Sequence, residues 1–200
     1  MFSNFLQGSN SNNNKTNPSM VMGFTRRSLP PNHSQIQKKS APIYNPSDAD
    51  KMTWGYPTWL LLHTLAEKIK ADEFSHIKTS LLSVIYMIVT NLPCPICSNH
   101  GKEYLDSINN ATIQTKEDLK RMLFNFHNLV NTRKNYKIFT YEELNSKYAR
   151  AITFNVLQNF MAHFTKRSGN ILLISDDIHR QRIVSNLKDF FSANINYFNL

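Results

Sequence analysis

Cys94 and Cys97, in the run Cys94-Pro95-Ile96-Cys97, are the two cysteines of this 200-residue chain. With no other partner in the sequence, any disulfide between them is local and closes a loop too short to staple a fold. The pair therefore reads as chemistry rather than architecture. Thirty residues after Cys97, His127-Asn128-Leu129-Val130-Asn131 sets a polar stripe into an otherwise apolar helical pattern. Together the two motifs suggest a redox dithiol beside a bound cofactor.

Two other readings of a Cys-x-x-Cys compete with this one. His100 and His127 could complete a zinc site, but structural zinc sites usually bring their second pair at a tight spacing, and no such histidine pair occurs here. A thioredoxin-like dithiol needs a βαβ context and a later cis-proline. Every proline lies at or before Pro95, which disfavours that fold.

Helical punctuation dominates the elements that must position the dithiol. A first helix, roughly Lys51 to Lys70, puts Trp59, His63 and Ala66 on one face. A second, from about Phe74 to Asn91, is rich in Leu, Ile, Val and Met; its β-branched content allows a strand, but its length suits a buried helix. Pro93 stands where a third helix can begin, because a missing N–H is no loss in the first turn. The dithiol then falls at a helix N-terminus, where unsatisfied N–H groups and the macrodipole favour a thiolate. Cys97, Gly101 and Tyr104 continue along one face of that helix. A fourth helix, about Thr115 to Asn131, buries Leu119, Met122, Leu123, Phe126 and Val130 and leaves His127 and Asn131 on a polar edge. Thr140-Tyr141-Glu142-Glu143 offers a capping-box start to a fifth. The class is all-α.

Composition narrows the options further. With 41% apolar residues, a chain of this length can bury a core as one compact domain with additions at both ends. Glycine is scarce, at five residues, and neither a GxGxxG run nor a P-loop occurs, so side chains must hold any nucleotide. Of the +9 formal charge, +5 lies in residues 1–47, which hold Lys15, Arg26, Arg27, Lys38 and Lys39 and no acidic residue. That tail reads as a solvated, disordered arm, and nucleic acid is not the expected partner. No apolar leader segment opens the chain and no run approaches a membrane span, so a cytoplasmic protein without membrane contact is expected.

Four blocks now stand in order: Trp54-Gly55-x-x-x-Trp59-x-x-x-His63, Leu92-Pro93-Cys94-x-x-Cys97, Phe126-His127-Asn128-x-Val130-Asn131-x-Arg133, and Lys137 with Tyr148. Over about Met52 to Tyr148 the chain resembles the Erv/ALR flavin-linked sulfhydryl oxidases, particularly the compact versions encoded by large DNA viruses. The resemblance implies a four-helix bundle plus a short fifth helix that cradles FAD and forms a homodimer. It also implies cofactor contacts at Gly55, Thr58, Trp59, His63, Tyr104, His127, Asn131, Arg133, Lys137 and Tyr148, with no metal. Trp59 and His63 would lie on the adenine side, His127 and Asn131 along the flavin, and Arg133 and Lys137 near the phosphate or ribose. Cys94 and Cys97 would be the catalytic pair, with Cys94 taking the attack of a partner dithiol, Cys97 flavin-proximal, and oxygen leaving as hydrogen peroxide.

The chain departs from the family pattern in three places. Asn135-Tyr136-Lys137 replaces the Gly-Lys of many relatives, and Asn tolerates left-handed backbone. Tyr148 stands where relatives often have Trp. The extra shuttle and structural disulfides of many cellular members are absent, so a substrate must reach Cys94 directly. A dithiol protein, such as a thioredoxin-like redox partner, is the expected substrate, in the cytoplasm of an infected host cell or packaged in the virion.

Residues 151–200 lie beyond the resemblance. Ile152 to Phe164 reads as a helix ended by Gly169, and Ser175-Asp176-Asp177 as the cap of a last helix whose Ile183, Leu187, Phe190 and Phe191 form an apolar face. That face either covers the bundle or docks a partner. The expected organisation is a disordered basic tail over 1–47, an FAD-binding oxidase domain over 48–150 and a helical extension over 151–200. The competing function is a zinc-stabilised basic helical interaction module.

Overall fold

The computed structural model describes residues 52–166 and 174–199. The tail expected over 1–47 and the helix stop expected at Gly169 lie outside the described residues. Among these, seven α-helices and no strand are found: α1 (Gly55–Lys68), α2 (Phe74–Val89), α3 (Pro95–Ser107), α4 (Lys116–Arg133), α5 (Tyr141–Ala149), α6 (Thr153–Phe164) and α7 (Ile174–Asn194). The all-α expectation holds.

Local chemistry sets the helix starts. An α1 reaching back to Lys51 would put Pro57 in its second turn, where the ring clashes and a hydrogen bond is lost; opening at Gly55 keeps Pro57 in the first turn. Thr115 caps α4 and Thr140 caps α5, each in a reciprocal capping box with Asp118 and Glu143 respectively. The third helix corrects the sequence expectation. It opens at Pro95, not Pro93, because a residue before proline is pushed out of α geometry and Cys94 is extended (φ −118°, ψ 107°). Ile174 opens α7, so Ser175, Asp176 and Asp177 fall inside its first stretch rather than before it.

Packing divides around two helices. α1 contacts α4, α5 and α6, while α2 contacts α3 and α7. Leu61, Leu65, Ile85, Ile88, Leu119, Leu123 and Phe160 are fully buried in one continuous apolar cluster, and Ile183, Leu187, Phe190 and Phe191 of α7 belong to it. The apolar face of the last helix thus covers the bundle. The chain's end is tied back by an isolated antiparallel bridge between Ile69 and Phe198 and by Lys70 N–H donating to the Tyr197 carbonyl at 2.9 Å. No described helix is long and apolar enough to cross a membrane.

Candidate redox site

The end of α2 and the start of α3 meet at the dithiol. Gly101 lets them approach: a Cβ there would stand 2.4 Å from Val89 Cγ1 and 3.4 Å from the Val89 carbonyl oxygen. Cys94 and Cys97 are joined as a disulfide with their Cα atoms 5.2 Å apart, and both are half-buried. Cys94 is the N-cap of α3, and its Sγ accepts the Cys97 N–H at 3.2 Å. After reduction, that donor and the positive end of the helix would stabilise charge on the Cys94 sulfur.

The disulfide forms part of the wall of a cavity of about 520 Å³. α1 contributes Gly55, Thr58, Trp59 and Leu62; α4 contributes Phe126, Val130 and Arg133; Ile96 and His100 of α3 and Val89 of α2 close the sides. Trp54, Leu92, Lys134 and Tyr136 complete the lining. Nothing lies within 4 Å of where a Cβ on Gly55 would stand, so the space beside that glycine belongs to the cavity. Lys134 is half-buried, and burial lowers its pKa. Among the described residues its ammonium has a Met52 Sδ contact at 3.9 Å and lies 5.9 Å from the Tyr136 ring centre.

Beside the cavity is an aromatic stack. Trp59 lies parallel to His127 with centroids 4.0 Å apart, and His63 stacks on Tyr148 at 4.6 Å. His63 Nε2 and His127 Nδ1 are 3.0 Å apart, a spacing satisfied when one nitrogen donates and the other accepts. Burial, followed by the charge of Lys147, lowers the His127 pKa from 6.5 to about 4. His63 is lowered well below its ordinary value by burial first, then by His127 and Lys147. Both imidazoles are neutral at physiological pH. Burial raises the Tyr148 pKa, so its phenol stays protonated.

The structure brings Gly55, Thr58, Trp59, Cys94, Cys97 and Arg133 onto one cavity. His63, His127 and Tyr148 join it through Trp59 without lining it themselves. Tyr104 lies under the floor, stacked on Phe126 at 4.6 Å and donating to the Met122 carbonyl at 3.0 Å. Asn131 is buried with its amide directed at the α4–α5 loop, donating to the Lys137 carbonyl at 3.3 Å; the Lys137 side chain is exposed away from the lining. Asn128 clamps the same loop, donating to the Phe139 carbonyl at 3.0 Å and accepting the Phe139 N–H at 3.3 Å. The turn that Asn135 was expected to make is present, with φ 58°. Sequence reasoning passed over Lys134 and Tyr136. Lys134 could have been found by extending the Phe126 and Val130 face one further turn.

A sequence model described as the Erv1/Alr family matches residues 56–149. An FAD-linked sulfhydryl oxidase of African swine fever virus (isolate Tick/Malawi/Lil 20-1/1983) is 32% identical over 99 residues, which is 50% of this chain and 82% of that protein. The chain belongs to the Erv1/Alr family. Within that family it is also similar to the FAD-linked sulfhydryl oxidase ERV1 of Arabidopsis thaliana, 27% identical over 119 residues covering 60% of this chain and 62% of the plant protein. No solved structure matches.

The residues of this Erv1/Alr chain fit the FAD that those relatives' names carry. The cavity volume lies within the roughly 300–1,000 Å³ of ligand pockets, its Trp59 and Phe126 rings suit a planar ring system, and the gap beside Gly55 admits close approach. Arg133 and Lys134 supply the positive charge a diphosphate needs. Among the described residues, no group of three or more His, Cys, Asp or Glu is placed to hold a metal ion. The zinc-module alternative gains no support from this arrangement.

Proposed function

We propose that the chain oxidises the dithiol of a partner protein to a disulfide at Cys94–Cys97, the electrons passing to oxygen to give hydrogen peroxide. Membership of the Erv1/Alr family makes it a flavin-linked thiol oxidase with FAD as cofactor. One observation carries the finer reading: the disulfide is part of the wall of the cavity that fits the cofactor.

A substrate thiolate attacks the Cys94 sulfur, the Cys94–Cys97 bond breaks, and Cys97 leaves as a thiolate. The substrate's second thiolate then attacks its own sulfur in the mixed disulfide, closing the substrate disulfide and releasing Cys94. Its thiolate is received by the Cys97 N–H and the positive end of α3. Two electrons have moved from the substrate to the cysteine pair. Bound FAD supplies a two-electron acceptor that oxygen can reoxidise. In this reading Trp59 and Phe126 exclude water from the ring site, the neutral His63–His127 pair fixes the Trp59 plane, and Arg133 and Lys134 hold the diphosphate.

The oxidase domain is assigned to residues 48–150 and the helical extension to 151–200, with a homodimer as the assembly. The viral relatives support work in the cytoplasm of an infected cell or within the virion. Purified protein should be yellow and should consume oxygen and release equimolar peroxide with dithiothreitol. Cys94→Ser and Cys97→Ser should each retain flavin and lose turnover. A mutant partner lacking its resolving cysteine should be trapped through Cys94; trapping through Cys97, or full turnover by either serine variant, would overturn the assigned pair.

A further inference from the structure

A second cavity, of about 450 Å³, adjoins the dithiol segment away from the lining already described. Pro93 and Pro95, the two neighbours of Cys94, form part of its wall, and Trp54 and Leu92 are shared with the first cavity. The facing wall comes from the C-terminal extension: His163 in the last turn of α6, Lys166 just beyond that helix, and His179 and Arg180 on α7. A hydrogen bond between His179 Nε2 and Asn91 Oδ1, 2.9 Å long, ties α7 to the segment leading into the dithiol.

Two cations, Arg180 and Lys166, stand in its lining with one carboxylate, Asp176. Arg180 is only 6% exposed; its Nη2 bonds Asp177, and its Nε has no hydrogen-bond partner among the described residues. Nε is sealed from solvent and Asp177 takes a bond from Nη2, so a ligand in the cavity would meet the remaining terminal N–H groups. Lys166 adds an exposed cation. Ser98 and Asn99, in the first turns of α3, bring that helix's positive end to the wall, and no acidic residue lies in its first turn to offset it. Asp176 is the one carboxylate in the lining; like Asp177, it sits in the first turn of α7, against that helix's own positive end.

We propose that this cavity binds a carboxylate-bearing segment of the protein substrate flanking its dithiol, so that the C-terminal extension selects which dithiols reach Cys94. The inference rests on the thiol-oxidase reading of Cys94–Cys97. Bound there, an acidic side chain would hold the neighbouring substrate cysteine beside the Cys94 sulfur, converting a random encounter into an oriented one. The extension would thereby do for specificity what a shuttle disulfide does elsewhere, without a cysteine of its own.

The test uses full-length, flavin-loaded protein and two dithiol peptides identical except for glutamates or glutamines flanking a Cys-x-x-Cys. Dithiothreitol serves as a small uncharged dithiol. Wild-type enzyme should oxidise the glutamate peptide with kcat/KM about tenfold higher, the worth of one good charge-assisted contact. The glutamate-to-glutamine ratio should fall to near unity in Lys166→Glu and in the paired Asp177→Asn/Arg180→Gln variant, which avoids leaving a buried carboxylate alone. Equal rates on the two peptides in wild type, or a preference that survives both variants, would overturn the proposal. A second arm needs no turnover: fluorescent peptides with serines in place of cysteines are titrated by anisotropy, and the glutamate form should bind more tightly in wild type and lose that advantage in both variants. If dithiothreitol is not oxidised, the thiol-oxidase reading fails and this binding arm alone decides the cavity, with equal binding of the two peptides counting against it.

Discussion

Acidification from about pH 7.5 to about pH 5.5 should destabilise the protein through one imidazole pair, because the folded state resists a proton that the unfolded chain accepts. Burial and the charge of Lys147 lower the His127 pKa from 6.5 to about 4, and His63 is also lowered well below its ordinary value, by burial first and then by His127 and Lys147. A depressed folded pKa means that stability is complete above the unfolded value near 6.5 and is lost progressively as pH falls toward the folded value. At about pH 5.5, His127 alone accounts for roughly 1.4 kcal/mol, with His63 adding in the same direction. For a chain of this size that corresponds to about 3–6 °C in Tm. The geometry gives the same sign: one proton satisfies the 3.0 Å contact between Nε2 and Nδ1, whereas two would set a pair of N–H groups head to head. Melts of wild type and His127→Gln, recorded at both pH values, isolate the effect, since other groups titrate alike in each. The variant should show a pH-dependent drop smaller by about that amount, and wild type should release flavin at the lower pH as the Trp59–His127 stack loosens. Equal drops in both proteins would refute a neutral, proton-resisting pair.

Gly101→Ala should cost about 1–3 kcal/mol in urea unfolding, since the added methyl meets Val89 Cγ1 at 2.4 Å, and Val89→Ala in the same chain should recover part of it. No destabilisation at all would mean that α2 and α3 are not so closely packed. Asn135→Gly should hold or raise the urea midpoint, whereas Asn135→Val should lower it by roughly 1–2 kcal/mol, because a β-branched residue resists a φ of 58°. Equal midpoints for the two would count against the left-handed turn. Lys134→Gln should weaken FAD retention by about tenfold, read by flavin fluorescence on dilution, if its half-buried ammonium faces the diphosphate. Unchanged retention would move the phosphate site elsewhere.

Features with a local cause were legible in the sequence. Thr140 and Glu143 announced α5 through the capping box, the length of the apolar stretch in α2 outweighed its β-branched residues, and Asn135 marked a left-handed turn. The start of α3 was misplaced because two prolines lie two residues apart and both suit a first turn; the extended geometry imposed on Cys94 by the residue after it decided between them. Long-range placements left no periodic trace. Asn131 is expected along the flavin from the resemblance, and its amide also holds the loop at Lys137, as that of Asn128 does at Phe139. Nor did any spacing indicate that His179 would bond Asn91, a contact across 88 residues.

That contact bears on the selectivity proposed for Cys94–Cys97. α2 ends against α3 at Gly101 and Val89 and contacts α7, whose His179 bonds Asn91 beyond the end of α2. The two sides of the dithiol segment differ in character. Toward α1 and α4 lies an apolar, aromatic cavity suited to a planar cofactor; toward α6 and α7 lies a polar one with a buried guanidinium. Cys94 and Cys97 line the first, and the second meets the dithiol segment through Pro93 and Pro95. In the proposed reading a single disulfide at a helix N-cap would serve both, because thiol exchange requires access to only one of the two sulfurs. Removing residues 151–200 should therefore affect more than substrate choice: it would expose the α1 face packed by α6 and the α2 face packed by α7, and flavin loss with a lowered Tm is the expected outcome. A truncated chain that kept its flavin and melting temperature would show that the extension contributes nothing to holding the dithiol turn.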